Sequence, residues 1–71
     1  MFIDTYNEIT EDGKNCMVAS FAAGPETLVK IRQWCYNTYK TPGDVWTDTV
    51  HWGKIRFGSN VDLMLFVLTW T

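Results

Sequence analysis

Few side chains in this sequence could do chemistry, and their spacing limits what that chemistry could be. His51 is the single histidine and the one side chain whose ordinary pKa lies near neutrality, so it comes first as a candidate general base or metal ligand. Either task needs company: an orienting carboxylate, a nucleophile to deprotonate, or further ligands. A hairpin turning at Gly53-Lys54 would surround His51 with Thr49, Lys54 and Arg56 instead, so a solvated surface histidine is expected and no catalytic residue is assigned. Asp44 and Asp48 lie close together but lack the repeated acidic frame and glycine of a calcium loop, and read as a turn residue and an exposed strand residue. Cys16 and Cys35 have no CxxC spacing, and one histidine cannot complete a zinc set, so no metal is expected. Two reduced, mostly buried thiols are the simpler expectation, and they suit a reducing cytoplasmic setting. Gly24, Gly43, Gly53 and Gly58 occur singly at turns and make no phosphate-cradling loop, and no cofactor is implied.

What the sequence does carry is aromatic surface. Trp34, Trp46, Trp52 and Trp70 stand in a chain of only 71 residues, and tryptophan is seldom fully buried even in larger domains. Some of this aromatic area fills the core, and at least one indole is expected at a surface, where tryptophan is enriched among binding hot spots. Trp46, His51, Trp52, Arg56 and Trp70 are the residues expected to contact a partner. Net charge is −2 with no basic block, which disfavours a protein that tracks phosphate backbones.

The elements that must position these residues follow from local pattern. Asp12-Gly13 predicts a two-residue type I′ turn between two strands, pairing Ile9 with Cys16 and Tyr6 with Ala19. Pro25 and Glu26 open a helix over about 25–40, with Leu28, Ile31, Cys35 and Thr38, joined by Trp34 and Tyr39, forming its apolar stripe. Thr41-Pro42-Gly43 stops it. Alternation through 44–59 predicts a second hairpin about a Gly53-Lys54 type II′ turn, with Trp46, Val50, Trp52, Ile55 and Phe57 on one face. Thr47, Thr49, His51, Lys54 and Arg56 fall on the other. After Ser59-Asn60 the run Val61–Trp70 suits a short capped helix, although a central strand could carry the same residues; the cap signals favour the helix.

One α+β domain over 1–71 results, in the order β-β-α-β-β-α. It has two layers, an antiparallel sheet covered by one main helix and a short C-terminal helix or strand, and a partial ferredoxin-like circuit. The longest apolar run contains Asp62 and is far shorter than the roughly 20 residues of a membrane span, so no spanning helix and no secretory signal are expected.

Phe57, Asp62, Phe66, Leu68 and Trp70 spell F-x-x-x-x-D-x-x-x-F-x-L-x-W. That pattern resembles the ending of short proteins of tailed bacteriophages, marine and cyanobacterial phages among them, in which a phenylalanine-bearing strand runs into D-A-x-x-F-K-L-x-W. The Trp34-Cys35 pair, Tyr39 and Trp46 are similar to the same group. This chain departs from it at Asn60-Val61, where an acidic pair is usual, and at Val67, where a basic residue is usual; both changes make the tail more apolar. The resemblance implies a non-enzymatic protein made in the cytoplasm of an infected host cell that binds a host or phage protein and inhibits or modulates it. A self-assembling structural protein and a single-stranded nucleic-acid-binding module are the alternative expectations.

Overall fold

A computed structural model describes residues 1–71. The chain runs β1 (Ile3–Ile9), β2 (Asn15–Phe21), α1 (Pro25–Tyr39), a 3₁₀ turn (Val50–Trp52), β3 (Lys54–Phe57) and α2 (Asn60–Trp70), an α+β domain as expected. Its sheet is antiparallel in the order β1-β2-β3.

The first hairpin forms, but one residue away from the predicted register. Glu8 pairs with Cys16 and Tyr6 with Val18, because the turn is a three-residue loop. The Gly13 N–H donates to the Thr10 carbonyl at 2.9 Å, and the Thr10 N–H donates to the Lys14 carbonyl at 2.8 Å. A type I′ turn needs positive φ at both central residues, and Gly13 adopts it (φ +84°) while Asp12 does not. Since side chains alternate between faces, the one-residue shift changes every cross-strand partner. Ala19 and Phe21 enter the core, and Cys16, Val18 and Ser20 take the opposite face.

Helix α1 follows its stripe, with Ile31, Cys35 and Tyr39 buried and Leu28 and Trp34 packed against the core; Thr38 is exposed and drops out of the set. Lys40 ends it with a positive φ (φ +69°, ψ −147°), outside the left-handed helical region, its N–H donating to the Tyr36 carbonyl at 3.1 Å. Helix α2 is capped as its sequence indicates. Ser59 Oγ accepts from the Asp62 N–H at 3.3 Å and donates to Asp62 Oδ2 at 2.9 Å, so the cap and the third helical residue satisfy each other.

The second hairpin does not form. Residues 44–49 pair with β3 in strand fashion only at Trp46–Phe57, where the Thr47 N–H donates to the Arg56 carbonyl at 3.0 Å and the Gly58 N–H to the Val45 carbonyl at 2.9 Å, and residues 50–52 coil into the 3₁₀ turn. Threonine hydroxyls account for the difference. Thr47 Oγ1 accepts from the Arg56 N–H at 3.1 Å and Thr49 Oγ1 donates to the Lys54 carbonyl, so side chains take positions that a strand's backbone would fill. Gly53 is left-handed (φ +74°, ψ 27°) and closes the 3₁₀ turn rather than a type II′ hairpin. The ferredoxin-like circuit fails for the same reason: with no strand at 44–52, β2 and β3 become adjacent antiparallel neighbours across α1.

An aromatic cluster joins the layers. The Phe66 ring centroid lies 5.6 Å from both Phe21 and Phe57 and 6.0 Å from Trp34. Tyr39 packs edge-on to Phe57 at 5.5 Å, and its hydroxyl donates to the Asp62 carbonyl at 2.7 Å, tying the end of α1 to the start of α2. Across the sheet's outer face, Arg56 on β3 donates from Nε (3.0 Å) and Nη2 (2.6 Å) to Glu8 Oε1 on β1, and Lys54 adds a 3.5 Å ion pair to Oε2. Hydrogen bonding from Arg56 lowers the Glu8 pKa below its ordinary value.

Both thiols are free, and they differ in access. Burial pushes the Cys35 pKa up to about 12, with the nearby Asp48 charge adding to the effect. Because this folded pKa exceeds the unfolded one, the contribution to stability is complete below about pH 8.5 and is lost as pH rises from there toward 12. At pH 8 a thiol-reactive reagent should label half-buried Cys16 rapidly and Cys35 only after denaturation. Equal labelling rates for the two in the native state would contradict this packing.

Candidate functional site

The five residues expected to meet a partner are dispersed by the fold. Trp46 is 0% exposed, a core residue whose indole N–H donates to the Lys40 carbonyl at 3.0 Å, so it cannot take part in surface contact. The failed hairpin is the cause: the bridge to Phe57 turns Trp46 under α1, where its ring lies 5.1 Å from Tyr36. Trp70 is half-buried against Trp34 at 6.1 Å, its indole nitrogen enclosed without an acceptor. Arg56 stands opposite Val18 on the outer face of the sheet, engaged by Glu8 and not by His51.

His51 and Trp52 stay together on the 3₁₀ turn, and both are exposed. Trp52 is 84% exposed, because the coil that replaces the strand rotates its side chain away from Ile55 and the core. A cleft of about 270 Å³ opens beside it, lined by His51 and by Val29, Arg32, Gln33 and Tyr36 of α1. Those four helical residues were not identified from sequence. Their spacing of three, four and seven residues was the available signal: a second face of α1, opposite neither the core stripe nor the lysines, on which Val29 is 63% exposed.

Two of the lining side chains, Arg32 and Tyr36, are held by Asp48. Its Oδ2 accepts from Arg32 Nε at 2.9 Å and from the Tyr36 hydroxyl at 3.1 Å. The guanidinium lies 5.5 Å over the Tyr36 ring, a cation–π placement, and its hydrogen bond to Asp48 raises the Arg32 pKa. Asp48 Oδ1 is enclosed without a hydrogen-bond donor. The arrangement joins α1 to the 44–49 segment and presents apolar, aromatic and cationic groups side by side.

A second, larger recess of about 440 Å³ lies at the other end of β3, bordered by Lys14, Cys16, Asp44, Thr47 and Arg56. The Cys16 thiol in this recess has no histidine beside it, since His51 lines the other cleft. No helix is long and apolar enough to cross a membrane, and no group of three or more histidine, cysteine or acidic side chains is placed to hold a metal ion.

Fold and surface together define a small three-stranded α+β domain with an aromatic turn projecting to solvent beside a helix-lined cleft. No protein-family model, curated protein or solved structure matches the chain.

Proposed function

We propose that this is a non-enzymatic accessory protein of a tailed bacteriophage, which binds a host or phage protein in the infected cell and inhibits or modulates it. The observation that carries the reading is Trp52, an indole 84% exposed and next in the chain to His51, which lines the cleft with Val29, Arg32, Gln33 and Tyr36. Leaving so large an apolar group in water forgoes its burial, worth about 1.5–3 kcal/mol, and a partner's surface recovers it. Arg32, already oriented by Asp48 and Tyr36, loses little further side-chain entropy on meeting a carboxylate. The C-terminal resemblance supplies the phage context, through Phe57, Asp62, Phe66, Leu68 and Trp70.

Trp52→Ala separates docking from folding. Because Trp52 is exposed, the variant should unfold within about 0.5 kcal/mol of the parent. Affinity capture from expressing bacterial cells should lose a stoichiometric partner that the parent retains, with about a hundredfold weaker binding once that partner is purified. An identical captured set for parent and variant, or no stoichiometric partner for either, would count against the proposal.

A further inference from the structure

Helix α2 has two apolar faces, and the fold uses one. Leu63, Phe66, Val67 and Trp70 turn toward the core, while Val61, Met64, Leu65 and Leu68 on the opposite side are 78, 51, 43 and 73% exposed. A helix that is apolar all round is ordinarily covered all round. We infer that α2 is a homodimerisation helix: two copies of this chain associate through the Val61-Met64-Leu65-Leu68 stripe, packed antiparallel about a two-fold axis.

Three observations select a second copy as the occupant. The stripe carries no charge, so two identical faces meet without like-charge repulsion, and α2 has no lysine or arginine with which to seek an anionic bilayer. Its spacing of three, one and three residues reads the same in both directions. A two-fold axis between Met64 and Leu65 therefore sets Val61 of one copy against Leu68 of the other and Met64 against Leu65, each contact made twice. The flanking polar groups are already satisfied within the chain: Thr69 Oγ1 donates to the Leu65 carbonyl at 2.8 Å, Thr71 Oγ1 to the Val67 carbonyl at 2.7 Å, and the Asp62 carboxylate accepts from Ser59. Closing a second helix over this surface strands no donor.

Area sets the strength. The four side chains expose roughly 400 Å² per copy, as much as the largest apolar patch on an ordinary monomer. With its flanks the pair buries on the order of 1,000 Å², the lower limit for a specific interface, so association should be micromolar and reversible. It is independent of the Trp52 surface, which lies on the 3₁₀ turn beside α1.

Sedimentation of the full chain from about 1 to about 300 µM tests the inference. The parent and Trp52→Ala should both pass from monomer to dimer. Leu68→Glu, and the milder Met64→Gln if that variant folds poorly, should stay monomeric with an unchanged circular-dichroism melt. In a Cys16→Ser background, oxidation should link Leu65→Cys chains to one another but not Val61→Cys chains, whose copies lie about 10 Å apart along the antiparallel axis, beyond disulfide reach. A parent that remains monomeric throughout, equal cross-linking by both cysteine variants, Leu68→Glu and Met64→Gln that both dimerise like the parent, or a monomeric parent that co-sediments with phosphatidylcholine–phosphatidylglycerol vesicles would each overturn it.

Discussion

Trp46→Ala should remove about 3–5 kcal/mol of stability, the usual range for deleting a buried aromatic. The indole is wholly enclosed, edge-on to Tyr36 at 5.1 Å and tilted against Tyr39 at 6.5 Å, and it bridges the 44–49 segment to Phe57. No neighbour can collapse into the space, because Tyr36 is held by Asp48 and Tyr39 by the Asp62 carbonyl. The lost N–H donor matters less, since its acceptor belongs to exposed Lys40 and water can replace it. A chain of this length is stabilised by only about 4–10 kcal/mol, so the loss brings the variant to the edge of unfolding. Urea titration followed by circular dichroism should show the midpoint falling by half or more, with Trp46→Phe recovering most of it. An unchanged midpoint for Trp46→Ala would mean that the 44–49 segment is not packed beneath α1.

Gly53→Ala should cost about 2–4 kcal/mol for a different reason. Gly53 holds a left-handed backbone (φ +74°), a conformation that costs a residue with a Cβ about 1–2 kcal/mol. Its site is also closed. A Cβ placed there would lie 2.5 Å from the Phe21 carbonyl oxygen, and that oxygen is backbone of the central strand. Relief requires moving Gly53 away from β2, which breaks the 2.8 Å hydrogen bond from the Phe21 N–H to the Gly53 carbonyl. Gly13 provides the control, since it shares the positive φ (+84°) but has nothing within 4 Å of the same position. Gly13→Ala should therefore lose only the conformational part, about 1–2 kcal/mol. Equal losses at both sites, measured by the same titration, would show that the close approach at Gly53 is not rigid.

These two positions also mark where the sequence was hard to read. Both helices were legible, because their signals are local: Pro25 and Glu26 at one start, Ser59 and Asp62 at the other, and a stripe at helical spacing in α1. The turn at Asp12-Gly13 was legible as a turn. Its length was not, since one glycine in the left-handed region serves both a two-residue and a three-residue loop, and the two differ by a whole register. Between Asp44 and Gly53 alternation misled, because a loop that buries Trp46 and Val50 and bonds through Thr47 and Thr49 has the same pattern as a half-buried strand. That error carried into the candidate site. It hid Trp46, freed Trp52, separated Arg56 from His51, and left the α1 wall of the cleft unrecognised, since Val29, Arg32, Gln33 and Tyr36 look like an ordinary solvated helix face until the 3₁₀ turn lies beside them.

The Glu8–Arg56 pair has a further consequence for how the sheet comes apart. Strand β1 is the free edge, with little of its surface covered; its ladder to β2, the packing of Ile3 against the core and the reach of Glu8 across β2 to Arg56 and Lys54 retain it. The ladder is indifferent to ionic strength, but the three-strand clamp is partly solvent-accessible, and added salt weakens it in part. Peeling of β1 is thus eased by dissolved ions to the extent of that clamp, while the helix pair and its aromatic cluster respond to denaturant. Amide exchange along β1 should quicken with added salt at constant global stability, giving this small domain a hinged margin whose looseness follows the electrolyte around it.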